Sequence, residues 1–230
     1  MADVVDAAQV TAAPAAMSPL VQTVDLAKAF GATQALRSCS FELVPGEVHA
    51  IVGENGSGKS TLVKILTGVH HPDAGTIALP GRDAAPDSPA DALASGVIAV
   101  FQEVLVVGPR SVLDNVWIGT DGLWRARRPD SEKRERAKAL LDELLGTAPA
   151  LDRPVEELSL SDRQAVSIVR ALVRDPKVLI LDEATSALDV ATRDRLFGIV
   201  ARLAAEGTGV IFISHLMDAI EQLGDRITVM

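Results

Sequence analysis

Gly53-Glu54-Asn55-Gly56-Ser57-Gly58-Lys59-Ser60 sits between a short strand expected over residues 48–52 and a stretch that places Leu62, Ile65 and Leu66 on one helical face. The octet fits G-x-x-x-x-G-K-[ST], and a strand before with a helix after is the context that pattern requires. Its glycines let the backbone curl so that successive N–H groups face a β-phosphate, and the helix N-terminus adds a favourable dipole. In this arrangement Lys59 reaches the β- and γ-phosphates, the Ser60 hydroxyl ligates Mg²⁺, and Thr61 continues the loop into the helix. A chance glycine turn is the competing reading, and the flanking strand and helix argue against it.

Working outward, residues 20–26 and 38–44 alternate apolar and polar side chains, as half-exposed strands do. Pro45-Gly46 makes a turn, and residues 76–79 form another short strand. Residues 97–101, 178–181 and 210–213 are continuous apolar runs suited to buried parallel strands. Residues 227–230 begin a further strand. Helices are expected over 60–67, 130–145, 162–174 and 191–205. In the second, Ala137, Leu140, Leu141 and Leu144 recur at helical spacing, and Asp130 or Ser131 is placed to cap it. Asp175-Pro176 stops the third, and Gly207 and Gly209 end the fourth. Strands alternating with helices imply an α/β fold with a mostly parallel sheet and helices on both faces. The first 80 residues suggest an antiparallel lobe, and residues 103 to about 170 are mainly helical. One domain over 20–230, with subdomains, accounts for the pattern. The Ala-rich residues 1–19 read as a disordered tail.

The chain has 230 residues and a formal net charge of -9, which disfavours a nucleic-acid-binding surface. The single cysteine, Cys39, permits no internal disulfide and fits a reducing compartment; it reads as a packed core thiol. No apolar run reaches the roughly 18 residues of a membrane span, and the N-terminus lacks the features of a signal peptide. Work at a membrane would therefore require docking on another subunit.

The second chemical element is Val178-Leu179-Ile180-Leu181-Asp182-Glu183. A buried strand delivers two carboxylates at its C-terminal end, where parallel sheets hold their ligands. Asp182 suits a role in holding Mg²⁺, and Glu183 one in orienting and deprotonating an attacking water. Alone, a strand ending in Asp-Glu is commonplace; paired with Lys59 it becomes informative.

With these elements in order, the chain resembles the ATP-binding cassette family from Leu20 to Met230. The resemblance implies a phosphate-loop core with an N-terminal antiparallel β subdomain and an inserted helical subdomain. It implies ATP and Mg²⁺ as cofactors and ATP hydrolysis as the reaction. Gln102 falls where the family has its Q-loop glutamine, which also reaches the metal. Ser186-Ala187-Leu188-Asp189 is similar to the D-loop, with Asp189 near nucleotide. His215 is similar to the switch histidine that contacts the γ-phosphate, and Phe30 to the aromatic that stacks on adenine. Taken singly, His215 reads as a satisfied loop histidine and Gln102 as an exposed polar residue. The family pattern thus assigns Glu183, His215 and Gln102 to catalysis.

Leu158-Ser159-Leu160-Ser161-Asp162-Arg163-Gln164 stands where the family has its L-S-G-G-Q signature, which grips the γ-phosphate bound to a partner cassette. Ser159 is kept for that contact in trans, and it is also placed to cap a helix with Asp162 as the return half of a capping box. Leu160 and Ser161 add side chains where backbone must approach phosphate, and Asp162 adds a negative charge. One of the two sites of an assembled dimer is therefore expected to be degenerate. Ala184, where the family usually has proline, should matter little.

Lys28-Ala29-Phe30-Gly31, Leu66-Thr67-Gly68 and Asp114-Asn115-Val116-Trp117-Ile118-Gly119 are similar to the first cassette of bacterial ribose/galactose-type carbohydrate importers. That likeness implies a second cassette beyond Met230, transmembrane permease subunits, and indirectly a periplasmic solute-binding protein. It implies a peripheral position on the cytoplasmic face of the inner membrane and no nucleic-acid partner. Residues 103–117 would form a groove for a permease coupling helix; ordinary subdomain packing is the bland alternative. Competing readings are an importer cassette for another solute, a non-transport tandem cassette acting on ribosome or DNA, and a degenerate cassette with little turnover. His70-His71 reads as a surface turn rather than a metal site. Arg125, Arg127 and Arg128 near Trp124 read as a solvated loop rather than a lipid contact.

Overall fold

The computed structural model describes residues 18–120 and 128–230. The expected tail falls almost wholly on residues outside this description, as do Trp124, Arg125 and Arg127. In chain order the elements are β1 (Val21–Phe30), β2 (Thr33–Leu43), β3 (Val48–Val52), α1 (Lys59–Leu66), β4 (Ala74–Ala78), α2 (Pro89–Ala94) and β5 (Val97–Val100). They continue with α3 (Val112–Trp117), α4 (Asp130–Leu145), α5 (Leu160–Leu172), β6 (Val178–Asp182), α6 (Val190–Ala205), β7 (Gly209–Ile213), α7 (Met217–Leu223) and β8 (Arg226–Val229).

Two sheets result. The first has the order β2-β1-β4 with antiparallel pairing throughout. The second has the order β5-β6-β7-β3-β8, every neighbouring pair parallel. The parallel sheet is covered on both faces, which explains its unbroken apolar strands. Along β6, Leu179 and Leu181 enter one core, shared with α3 to α6. The intervening Val178 and Ile180 enter the other, shared with α1 and the antiparallel lobe. In β7 Val210 and Phe212 face the first core, Ile211 and Ile213 the second. Full burial of each such side chain contributes roughly 1.5–3 kcal/mol before entropy is counted. This sheet therefore holds the C-terminal ends of β3, β6 and β7 as one rigid rim.

Some boundaries differ from expectation. The third helix starts at Leu160, not at Asp162, because the Ser159 hydroxyl caps it by accepting the Asp162 N–H at 3.1 Å. Neither Asp130 nor Ser131 caps α4: the cap position belongs to Pro129, which has no side-chain acceptor, and Asp130 and Glu132 serve as the acidic first turn. Three short helices, α2, α3 and α7, were not expected. Ser88 caps α2, with Pro89 opening it, and Ser111 caps α3.

Candidate nucleotide-binding site

β3 runs into the glycine octet and α1 leaves it, so the loop lies at the C-terminal rim of the parallel sheet. Gly58 occupies the cap position of α1 in a left-handed conformation, φ 104°. A Cβ there would lie 2.3 Å from the Ala35 carbonyl oxygen, so only glycine fits. No side chain caps α1. The first helical N–H to bond back is that of Leu62, to the Gly58 carbonyl at 2.9 Å. The first-turn amides before it have no intrahelical acceptor and are free to face an anion. Lys59 is buried, and its Nζ donates to the carbonyls of Gly53 at 2.8 Å and Glu54 at 2.9 Å. The ammonium is thus folded back over its own loop.

A cleft of about 750 Å³ opens beside this loop. It is lined by Gly53, Asn55, Gly56, Gly58, Lys59, Ser60 and Thr61 from the loop and α1, and by Gln102, Glu183 and His215 from three other segments. Glu54 and Ser57 complete the octet. Residues 53, 102, 183 and 215 each follow, directly or within two residues, a strand of the parallel sheet. That is how side chains so far apart in sequence meet.

Glu183 ends β6 in a left-handed conformation, φ 49°. Its N–H donates to the Ile213 carbonyl at 3.0 Å, and its own carbonyl accepts the Ser186 hydroxyl at 2.9 Å. This bend leaves the carboxylate Oε2 3.9 Å from Nδ1 of the largely exposed His215. Asp182, one residue earlier, is buried, and burial first, then the neighbouring Glu183 charge, raises its carboxyl pKa. A buried carboxylate so disfavoured as an anion suits a cation. Of the residues expected to hold Mg²⁺, Ser60 and Gln102 line the cleft and Asp182 is not among its lining residues; oxygen donors of these kinds suit a hard divalent cation.

Other expected residues lie elsewhere. Phe30 does not line the cleft; its ring packs edge-on to His70 with centroids 5.1 Å apart, beneath Lys28. Its partner across the hairpin, Thr33, lines the cleft together with Gln34 and Ala35. These three were not foreseen, although the turn at Gly31 is a signal that a hairpin tip approaches the loop. Asp189 also lies off the cleft. Its carboxylate caps α6 by accepting the Thr192 N–H at 2.9 Å and accepts the Ser161 hydroxyl at 3.1 Å. Those bonds, the Thr192 ones foremost, hold its pKa below the usual carboxylate value. Ser159 caps α5, also away from the cleft lining. Gln164, also unforeseen, is buried and donates to the Ala184 carbonyl at 3.0 Å, tying α5 to the turn after Glu183.

Residues 36–186 match the ABC transporter family. The chain belongs to that family. A ribose import ATP-binding protein of Streptomyces avermitilis is 43% identical over 211 residues, which is 92% of this chain and 42% of the relative. One from Streptomyces coelicolor is 42% identical over the same shares, and one from Rhodococcus jostii 40%. The cassette therefore spans less than half the length of the curated relatives it matches. Among solved structures, a nucleotide-free ATP-binding cassette from an ABC transporter superposes with a TM-score of 0.79 at 28% identity, covering 92% of this chain and 87% of that one. A dimeric post-hydrolysis cassette bound to ADP and Pi reaches a TM-score of 0.82 at 24% identity, covering 91% and 94%, and supports the fold alone. The loop, β6 and the rim thus belong to an ABC cassette, with the antiparallel lobe and the helical insertion that this fold carries.

Proposed function

We propose that this cassette binds and hydrolyses Mg-ATP to drive uptake of ribose or a related sugar through a separate permease, at the cytoplasmic face of the membrane. The observation that carries the reading is the convergence of Lys59, Gln102, Glu183 and His215 on one cleft. Ribose import relatives alignable over 92% of the chain supply the solute class. Among the described residues no helix is long and apolar enough to cross a membrane, so a permease must come from another chain or segment.

The free first-turn amides of α1 hold the β-phosphate. Lys59 exchanges its loop carbonyls for phosphate oxygens when nucleotide arrives. Ser60, Gln102 and Asp182 would hold Mg²⁺, which neutralises polyphosphate charge. Glu183 orients the attacking water and accepts its proton at the carboxylate, and His215 contacts the γ-phosphate. Phe30, at the hairpin tip, supplies an aromatic face for adenine by tilting away from His70.

A second cassette completes this site by offering its signature segment, and Ser159 with Asp189 is this chain's contribution in return. Leu160, Ser161 and Asp162 make that contribution poor, so the paired site turns over slowly. The reading is tested by ATP-dependent ribose uptake into vesicles carrying the full transporter. Glu183→Gln should abolish uptake while leaving nucleotide bound. Undiminished uptake in that variant, or none in the unaltered transporter, would overturn the assignment.

A further inference from the structure

Gln164 lies one turn into α5 and is only 1% exposed, with its amide against the turn that follows Glu183. That amide is half satisfied. Nε2 donates to the Ala184 carbonyl at 3.0 Å, whereas Oε1 is buried and meets no donor among the described residues. A carbonyl can only accept, so the donor end of the amide must face it and the acceptor end is left over. A buried amide in that state contributes less to stability than an aliphatic side chain of the same size. Packing alone therefore does not account for Gln164.

The bond fixes a peptide unit beside the left-handed Glu183. Successive groups of this turn are pinned from different elements. The Ile213 carbonyl at the end of β7 holds the Glu183 N–H at 3.0 Å, and the Ser186 hydroxyl holds the Glu183 carbonyl at 2.9 Å. The next carbonyl, that of Ala184, is held from α5, and among the described residues Gln164 is its only donor. Ala184 and Thr185 are buried, so bulk water does not stand in for the amide. A left-handed conformation at a residue with a side chain persists only where its surroundings enforce it, and this bond is one of the few that do.

We propose that Gln164 is a positioning residue for hydrolysis: through the Ala184 carbonyl it holds the turn in the shape that aims the Glu183 carboxylate into the nucleotide cleft. The proposal rests on the reading above, in which Glu183 activates water, and adds the group that keeps it aimed. α5 opens with Leu160, Ser161 and Asp162, the segment offered to a partner cassette on the same reading. One amide thus joins that segment to this chain's own base. A shift of α5 against the partner reaches Glu183 through Gln164 without passing through nucleotide.

The test uses the full transporter and reads ATP hydrolysis beside ATP affinity. Gln164→Leu keeps volume and burial and removes the donor. It should lower kcat by at least about tenfold, the scale of a misplaced catalytic group. KM and ATP affinity should stay within about threefold, and the melting temperature should not fall. In the Glu183→Gln transporter the same change should lower the residual rate by less than about twofold, because no base is left to aim. Gln164→Glu supplies a second readout, which decides the matter even if Gln164→Leu does not assemble. Its neutral acid keeps a donor for the Ala184 carbonyl, its anion keeps none, and burial raises the pKa at which one becomes the other. Its rate relative to the unaltered transporter should therefore climb as pH falls from about 8.5 to about 6, whereas that of Gln164→Leu should stay flat. An unchanged kcat in Gln164→Leu, a parallel loss of ATP affinity, an equal further loss in the Glu183→Gln background, or a flat ratio for Gln164→Glu each overturns the proposal. Hydrolysis by Glu183→Gln at the unaltered rate, or none by the unaltered transporter, would instead defeat the reading of Glu183 itself.

Discussion

Two helices of this cassette begin at segments that its family devotes to phosphate, and they begin differently. α1 starts behind Gly58, whose left-handed backbone carries no capping side chain, so its leading amides stay open toward the cleft. α5 starts behind Ser159, whose hydroxyl takes the Asp162 N–H, while the Ser161 hydroxyl is engaged by Asp189. The first terminus lacks an acceptor and waits for an anion; the second has satisfied itself. Both have the same helix dipole, so dipole alone does not make a phosphate site. What distinguishes them is whether local side chains have already claimed the amides and what charge they add. α1 has no acidic residue in its first turn, whereas α5 has Asp162 there.

The largest way to break this contrast is at the first terminus. Lys59→Ala removes the cation next to the open amides and should weaken ATP binding by about a hundredfold or more, read by calorimetric titration; two charge-assisted hydrogen bonds of about 1.5–3 kcal/mol each are lost. Binding within threefold of the unaltered chain would place the phosphates elsewhere. A smaller effect is expected at the second terminus. Changing Leu160-Ser161-Asp162 to Gly-Gly-Gln frees that end and removes the acidic charge. ATP turnover of the assembled transporter should rise several-fold, since repulsion at about 8 Å and an effective dielectric near 20 is about 2 kcal/mol before screening. A flat rate would show that α5 does not approach the partner's nucleotide.

The smallest change sharpens the claim that α5 is satisfied by its own cap. Ser159→Ala should cost about 1 kcal/mol, a fall of roughly 2–4 °C in melting temperature for a chain of this size. No change would mean that the cap hydrogen bond is replaced by water. The pH dependence of the adjoining bond is signed as well. Asp189 titrates below the usual carboxylate value in the folded chain, so its contribution is present above the unfolded pKa and fades as pH falls through the folded one.

Much of the nucleotide half was readable from the sequence because its signals are local. The octet is contiguous, and β5, β6 and β7 carry the apolar runs that a doubly covered sheet explains. Asp182 and Glu183 follow such a run directly. The signature half was less readable because side-chain hydrogen bonds decide it. Whether Ser159 caps a helix or greets a phosphate, and whether Asp189 faces nucleotide or Thr192, depends on contacts that spacing does not encode. Phe30 illustrates a different difficulty. The family motif places Phe30 by its position in the chain, but β1 and β2 shift register at several bulges before the hairpin tip, so position does not fix which way the ring faces.

Glu183 keeps β6 bent at φ 49°, a conformation that side-chain-bearing residues avoid at a cost of about 1 kcal/mol or more. Glycine would occupy that bend at ease, but it would leave His215 without a carboxylate beside it. Selection for comfort and selection for chemistry therefore pull in opposite directions at this one position. The cassette's fold is accordingly held somewhat below the stability its own backbone would allow, and the shortfall sits at the residue proposed to activate water.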